Sequence, residues 1–187
     1  MAIMDLIPSG ATPARRTRLL AEEMGKALAS FQNGSLQGAD LMLYQKLSNM
    51  QCWDAALYCA WSAKGVSCAD VNMTSSMFTV TTATNYTRLF GNNVLGSTRK
   101  VTSLAELMLM PEGCFVGFIS NTGVLRHAML HTSNGHGAGN KSDCIFSDAH
   151  TIGWENLDMA HFFGKDKSLN QNATTTMVYA PVTGQTI

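Results

Sequence analysis

Net charge is the first thing this 187-residue chain lacks, because thirteen lysines and arginines balance thirteen aspartates and glutamates. Charged residues make up only 14% of the sequence, whereas hydrophobic residues make up 45%. A nucleic-acid-binding surface is marked by a basic excess or a basic stripe. The composition therefore favours a neutral globular domain, and we expect no nucleic-acid partner.

Long apolar runs and a secretory signal are also missing. No stretch approaches the roughly 20 apolar residues of a membrane-spanning helix, so we expect no membrane span. Residues 1–10 lack the charged start and the apolar core of a signal peptide and are interpreted as a flexible leader. We therefore expect either a cytoplasmic protein or one exported by a route other than the general secretory pathway.

Paired metal-binding motifs and a disulfide framework are absent as well. The chain has five cysteines, an odd number with irregular spacing, so we expect reduced thiols. His127 and His131 are four residues apart, but that spacing joins two zinc ligands on a helix and not on a strand. The sequence therefore predicts no metal and no cofactor.

The order of the periodic segments predicts an α+β fold. Helices are predicted over 13–33, 38–49, 52–65, 83–90, 103–108 and 154–163, and strands over 77–81, 114–119, 125–131, 144–147 and 174–179. Helices come first and most strands afterwards, which is not the alternation of a parallel sheet. We therefore predict one domain over 11–187, with a helical part at about 11–110 and a sheet part at about 111–187.

Cys52 is the cysteine whose setting indicates chemistry. It opens a predicted helix, where free backbone amides and the positive end of the helix dipole favour a thiolate. A general base is still needed, and His127 on a downstream strand is the candidate, with His131 on the same face as the alternative. The group that orients the imidazole is predicted as Asp148, with Asp143 as its competitor.

The expected oxyanion donors are the backbone amide of Cys52 and a side-chain amide just upstream. Gln45, Asn49 and Gln51 are available, and we favour Gln45, seven residues before the cysteine. The other four cysteines are interpreted as small buried hydrophobic residues. The glycine-rich run 134–140 is interpreted as a mobile hairpin loop that could serve as a lid.

Two short motifs resemble those of a known family. Residues 127–130, His-Ala-Met-Leu, and 146–155, Phe-Ser-Asp-Ala-His-Thr-Ile-Gly-Trp-Glu, resemble papain-like bacterial cysteine-protease effectors of the YopT and AvrPphB type. The resemblance implies a helical part that carries the catalytic cysteine at a helix N-terminus and packs on an antiparallel sheet. It also implies Cys52 as nucleophile, His127 as base and Asp148 as orienter, although the family's usual Asp-Pro-Asn is here Asp-Ala-His.

That resemblance implies a hydrolase of amide bonds, a protease or a protein-glutamine deamidase, that acts on a host protein. A secretion chaperone or an immunity protein would then be a partner. Residues 111–118, together with the His127 strand, are also similar to NlpC and CHAP cell-wall amidases, which implies a peptidoglycan substrate instead. A non-catalytic binding module on the same fold is the third reading.

Overall fold

The computed structural model describes residues 2–70, 98–146, 148–163 and 175–183. The predicted strand at 77–81 and the predicted helix at 83–90 lie outside these residues. In the described ranges, no helix has both the length and the apolar character that crossing a membrane requires.

Five α-helices lie in the described part of the chain. They are α1 Pro13–Lys26, α2 Leu28–Gln32, α3 Gly38–Asn49, α4 Cys52–Ser62 and α5 Leu104–Met108. Single 3₁₀ turns form at Ile3–Leu6, Ser142–Cys144 and Met159–Phe163. The predicted helix 13–33 is divided in two, because the Ala27 amide bonds to the Met24 carbonyl at 3.2 Å and closes α1 with a tighter turn.

Six strands of the described ranges form one antiparallel sheet, so the predicted α+β class is confirmed. They are β1 Arg99–Val101, β2 Phe115–Ser120, β3 Leu125–His131, β4 His136–Asn140, β5 Trp154–Asp158 and β6 Thr175–Ala180. Their order across the sheet is β1-β6-β2-β3-β4-β5. Strand β3 therefore lies inside the sheet, between β2 and β4.

Two predicted elements of the second half are wrong. The described residues 144–146 of the predicted strand 144–147 are not a strand, because the chain turns at Ser142–Cys144, and 154–163 is β5 followed by a 3₁₀ turn. Strand β4 is not among the predicted strands, because it lies inside the glycine-rich run 134–140, which the sequence indicates as a loop. A side chain at Gly137 would come within 2.6 Å of the Met159 sulfur, so glycine here admits the methionine and does not mark a turn.

The sheet has two different faces. The helical face packs against α1, α3 and α4 through residues that include Phe115, Ala128, Leu130, Ala138 and Trp154. The phenylalanine face carries Val116, Phe118 and Met129. These side chains are covered by Leu107 of α5 and by Phe146 and Phe162 from the loops that flank β5. Because successive side chains of a strand point to opposite faces, the β3 residues from Ala128 to Leu130 alternate between the helical face and the phenylalanine face.

The segment predicted as a flexible leader packs on the helical part. The amide of Ile3 donates to both carboxylate oxygens of Asp40, at 3.0 and 3.1 Å. Ile7 is 7% exposed and belongs to the core beneath the helical face. This attachment places the start of the described chain beside α3 and away from β3.

Candidate functional site

Cys52 is the first residue of α4 and is 6% exposed. The chain reaches it through an extended Met50 and Gln51, so α3 and α4 are separated by a sharp turn. Burial raises the pKa of the Cys52 thiol to about 12, and hydrogen bonds from backbone groups, that of Ala128 first among them, offset only part of this effect. At rest, the thiol is therefore protonated.

A cavity of about 500 Å³ opens beside Cys52. Its walls come from the start of α4, from β3 and from the turn after β4. The lining residues are Gln51, Cys52, Trp53, Leu125, Arg126, His127, Lys141, Asp143, Cys144 and Thr151. Three of the predicted site residues, Cys52, His127 and Asp143, therefore border one cavity.

The imidazole of His127 nevertheless belongs to the phenylalanine face. His127 pairs with Phe118 across β2 and β3, and the two ring centroids are 5.9 Å apart. Its Nε2 is 3.1 Å from the hydroxyl of Ser142, and its buried Nδ1 has no hydrogen-bond partner in the described part of the chain. Complete burial lowers the pKa of His127 to about 3, so the ring is neutral.

Cys52 and His127 are therefore neighbours without being a catalytic pair. The thiol meets the backbone of Ala128, whose side chain lies on the helical face, whereas the His127 ring lies on the opposite face. Because the imidazole bonds to Ser142 and its other nitrogen has no described partner, no hydrogen bond links it to the thiol. In this geometry the candidate nucleophile is not joined to its candidate base.

A β-bulge lies next to His127. The register of β2 and β3 pairs Phe118 with His127 and then Ile119 with Leu125, so Arg126 is the extra residue on β3. Bulges of this kind re-aim side chains and are common beside active sites. The side-chain direction at 126–127 is thus set by the position of the bulge.

Neither predicted acid bonds to His127. Asp148 is in the loop before β5, its side chain is 56% exposed, and its carboxylate is 3.4 Å from Nδ1 of His161. It is not part of the cavity wall, because the segment that was expected to carry it along the sheet is not a strand. Asp143 is exposed and lines the cavity, while the hydroxyl of Ser142 takes the position of an orienting group.

The side chain predicted as oxyanion donor also lies away from the cavity. Gln45 is exposed on α3 and does not contribute to the cavity wall. Gln51, one of the alternatives, precedes Cys52 at the N-cap of α4 and lines the cavity. The geometry favours Gln51 over Gln45 as the amide next to the thiol.

The sequence analysis missed a buried anchor for the turn that precedes Cys52. Asn140, at the end of β4, donates from Nδ2 to the carbonyls of Leu47 at 2.6 Å and Met50 at 2.9 Å. These bonds satisfy carbonyls at the end of α3 that would otherwise be orphaned. The strand alternation that puts Ala138 and Asn140 on the helical face is the signal that would have revealed it, once β4 was seen as a strand.

The cysteines divide into two groups. Cys59 and Cys114 are fully buried, as expected of small hydrophobic residues. Cys144 differs: the residue is exposed, and its Sγ faces the Lys141 carbonyl at 3.3 Å and the Arg126 carbonyl at 3.9 Å. Desolvation of that sulfur raises the pKa of Cys144 to about 11.

His131, the alternative base, points away from the cavity. Its Nδ1 is 2.8 Å from the Pro111 carbonyl, beyond α5, and desolvation lowers its pKa. Among the described residues, no group of three or more His, Cys, Asp or Glu side chains is arranged to hold a metal ion.

A scan against protein-family models found no match, and searches of curated proteins and of solved structures found none either. The resemblance to papain-like effectors therefore stays a prediction from the two motifs at 127–130 and 146–155.

Proposed function

We propose that the chain is a cysteine-dependent hydrolase of amide bonds, with Cys52 as its nucleophile. The observation that carries the proposal is the position of Cys52 at the first residue of α4, on the wall of a cavity that it shares with His127 and Asp143. A helix N-terminus stabilises a thiolate once one forms. The substrate is a peptide bond or a glutamine carboxamide of a protein, and an effector role with a host-protein target rests on the family resemblance.

The proposed reaction has two halves. His127 takes the proton of the Cys52 thiol, the thiolate adds to the carbonyl carbon, and the resulting oxyanion is held by the Cys52 amide and by Gln51. The nitrogen leaves as an amine or as ammonia after it takes a proton from His127, and an acyl-enzyme remains on the sulfur. Water, deprotonated by His127, then hydrolyses this thioester and regenerates the thiol.

For this reaction, the imidazole of His127 has to leave the phenylalanine face. A one-residue change of register turns a strand's side chains to the opposite face, and the bulge at Arg126 is where β3 already accommodates such a change. Migration of the bulge by one residue would turn His127 towards the cavity and Cys52. We propose that an occupied cavity favours that register.

The test uses a peptide library that contains glutamine and all common peptide bonds, read by mass spectrometry. A protease creates new peptide termini, and a deamidase converts glutamine to glutamate and releases ammonia. We expect one of these products from the wild-type chain and neither from Cys52→Ala. Cys59→Ala, which alters a buried thiol of the same helix, is the matched control for preparation and folding.

A non-catalytic binding module is the second candidate, and one observation favours it. The base of the proposed site is neutral, fully buried and bonded to Ser142, which is the condition of an ordinary core histidine. On this reading, Cys52→Ala leaves binding to a protein partner unchanged. Absence of product from both the wild type and Cys52→Ala would leave this candidate, whereas equal conversion by both would exclude Cys52 as the nucleophile.

A further inference from the structure

Two thiols line the candidate cavity. Cys52 approaches it from the start of α4, and Cys144 from the 3₁₀ turn that follows β4. They are 92 positions apart in the sequence, and the sequence analysis gave them no common role. The two side chains affect each other electrostatically, since a charge on Cys144 raises the pKa of Cys52.

Both sulfurs lie beside the same short stretch of β3. The sulfur of Cys144 is 3.9 Å from the carbonyl oxygen of Arg126, and that of Cys52 meets the backbone of Ala128, two residues further along. The pairing of β3 with β4 ends at Leu130, so the stretch 126–128 lies beyond it. The two thiols therefore approach the cavity at neighbouring positions of one strand.

The remaining cysteines lack this relationship. Cys59 lies two turns further along α4 in the core, and Cys114 is fully buried beneath the phenylalanine face. Cys68 is half-buried and lines a different cavity, beside Trp61 and Thr183. Among the described thiols, Cys52 and Cys144 are thus the pair that shares one solvent-accessible space.

We propose that Cys52 and Cys144 form a site of reversible oxidation, in which a peroxide converts the two thiols into one intramolecular disulfide. Cys144, the exposed thiol of the pair, first attacks the peroxide through the minor fraction that is thiolate, which gives a sulfenic acid and water from hydrogen peroxide. The Cys52 sulfur then displaces hydroxide from that sulfenic acid, and a second water forms. In total, two thiols and one hydrogen peroxide give one disulfide and two waters, and a dithiol reductant restores the thiols.

The disulfide does not depend on the hydrolase proposal, because it needs only the two sulfurs and the oxidant. If Cys52 is also the nucleophile, the same bond blocks catalysis. Oxidation would then block the cavity, and reduction would open it again. The two proposals fail separately, since cross-linking is read from peptide masses and hydrolysis from turnover.

The experiment treats the reduced, native full-length chain with hydrogen peroxide, blocks residual thiols and maps the digest without reduction. We expect a peptide pair joined through Cys52 and Cys144, an intact mass lower by two hydrogens, and recovery of both thiols after dithiothreitol. Cys144→Ser and Cys52→Ser should give no such pair. Cys68→Ser, which changes a thiol of the other cavity, should cross-link like the wild type.

Three outcomes would overturn the proposal. The first is oxidation of Cys144 to sulfinic or sulfonic acid without a cross-link, and the second is a disulfide between two copies of the chain. The third is retention of both free thiols under a peroxide exposure that fully oxidises free cysteine. The first two would mean that Cys52 and Cys144 do not bring their Cα atoms to the separation that a disulfide allows, roughly 4.4–6.8 Å. The third would mean that the pair does not react with peroxide.

Discussion

The two faces of the sheet differ in what they bury. The helical face is covered by α1, α3 and α4 and is anchored at its edge by the polar side chain of Asn140. The phenylalanine face is covered by aromatic rings and encloses the neutral His127. Because β3 separates them, the candidate nucleophile and its candidate base belong to different cores. The proposed hydrolysis would therefore depend on the register of one strand.

The largest predicted effect concerns the aromatic packing of the phenylalanine face. Phe118 is fully buried, with ring centroids 5.6 Å from Phe146 and 5.3 Å from Phe162. Phe118→Ala should lower the free energy of unfolding by about 4 kcal/mol, through lost transfer energy and a residual cavity. Urea unfolding measures the change.

Phe118→Leu is the matched control, since it retains most of the volume and should cost about 1.5 kcal/mol. A loss below about 1 kcal/mol for Phe118→Ala would mean that this face is not a packed core. The contrast between the two faces would then be lost.

The second prediction tests the polar anchor of the helical face. Asn140→Ala leaves buried carbonyls at the end of α3 without a donor, so unfolding should become easier by about 2 kcal/mol. Asn49→Ala, an exposed amide on the same turn, should change stability by less than about 0.5 kcal/mol. Equal effects of the two substitutions in urea unfolding would contradict the anchoring role.

These features also show where sequence reasoning succeeds. Helix α3 follows from apolar periodicity, because it buries one regular stripe. The start of α4 and strand β3 follow from the turn residues that bound them, although both elements are buried on nearly all sides. Strand β4 was missed because its glycines read as a loop, although they are needed to admit Met159 and Met129 against the sheet. That space requirement depends on a long-range contact which no local pattern contains.

Some residues that line the cavity could be predicted from the sequence, but the directions of their side chains could not. Cys52 and His127 do border one cavity, as their order in the chain suggested. Strand alternation predicts that His127 and Ala128 face opposite sides, but only the fold reveals that α4 packs on the side of Ala128. The position predicted for Asp148 was wrong because it depended on a strand at 144–147, and the described residues 144–146 do not form one.

A smaller effect should appear in the pH dependence of stability. His127 is neutral when folded, with a pKa of about 3, and takes up a proton near its ordinary pKa when unfolded. The unfolded state therefore binds more protons below about pH 6.5, and stability should fall as the pH drops from there towards 3. The slope for this residue should be at most about 1.4 kcal/mol per pH unit.

His127→Gln isolates this contribution, because glutamine cannot titrate and can still bond to Ser142. Urea unfolding between pH 7 and pH 5 should show a shallower slope for this variant than for the wild type. His131, whose pKa is also lowered by burial, should account for part of the slope that remains. Parallel slopes for the two proteins would contradict a buried, neutral His127.

The separation of nucleophile and base is tested most directly by site-resolved alkylation. The native chain is treated with iodoacetamide between pH 6 and pH 9, and labelling of Cys52 is followed by peptide mass mapping for the wild type and for His127→Ala. The protonated thiol predicts that Cys52 reacts more slowly than free cysteine throughout, at a rate that rises with pH and is the same in both proteins. Labelling faster than free cysteine at pH 6, lost in His127→Ala, would show instead that the two residues already form an ion pair at rest.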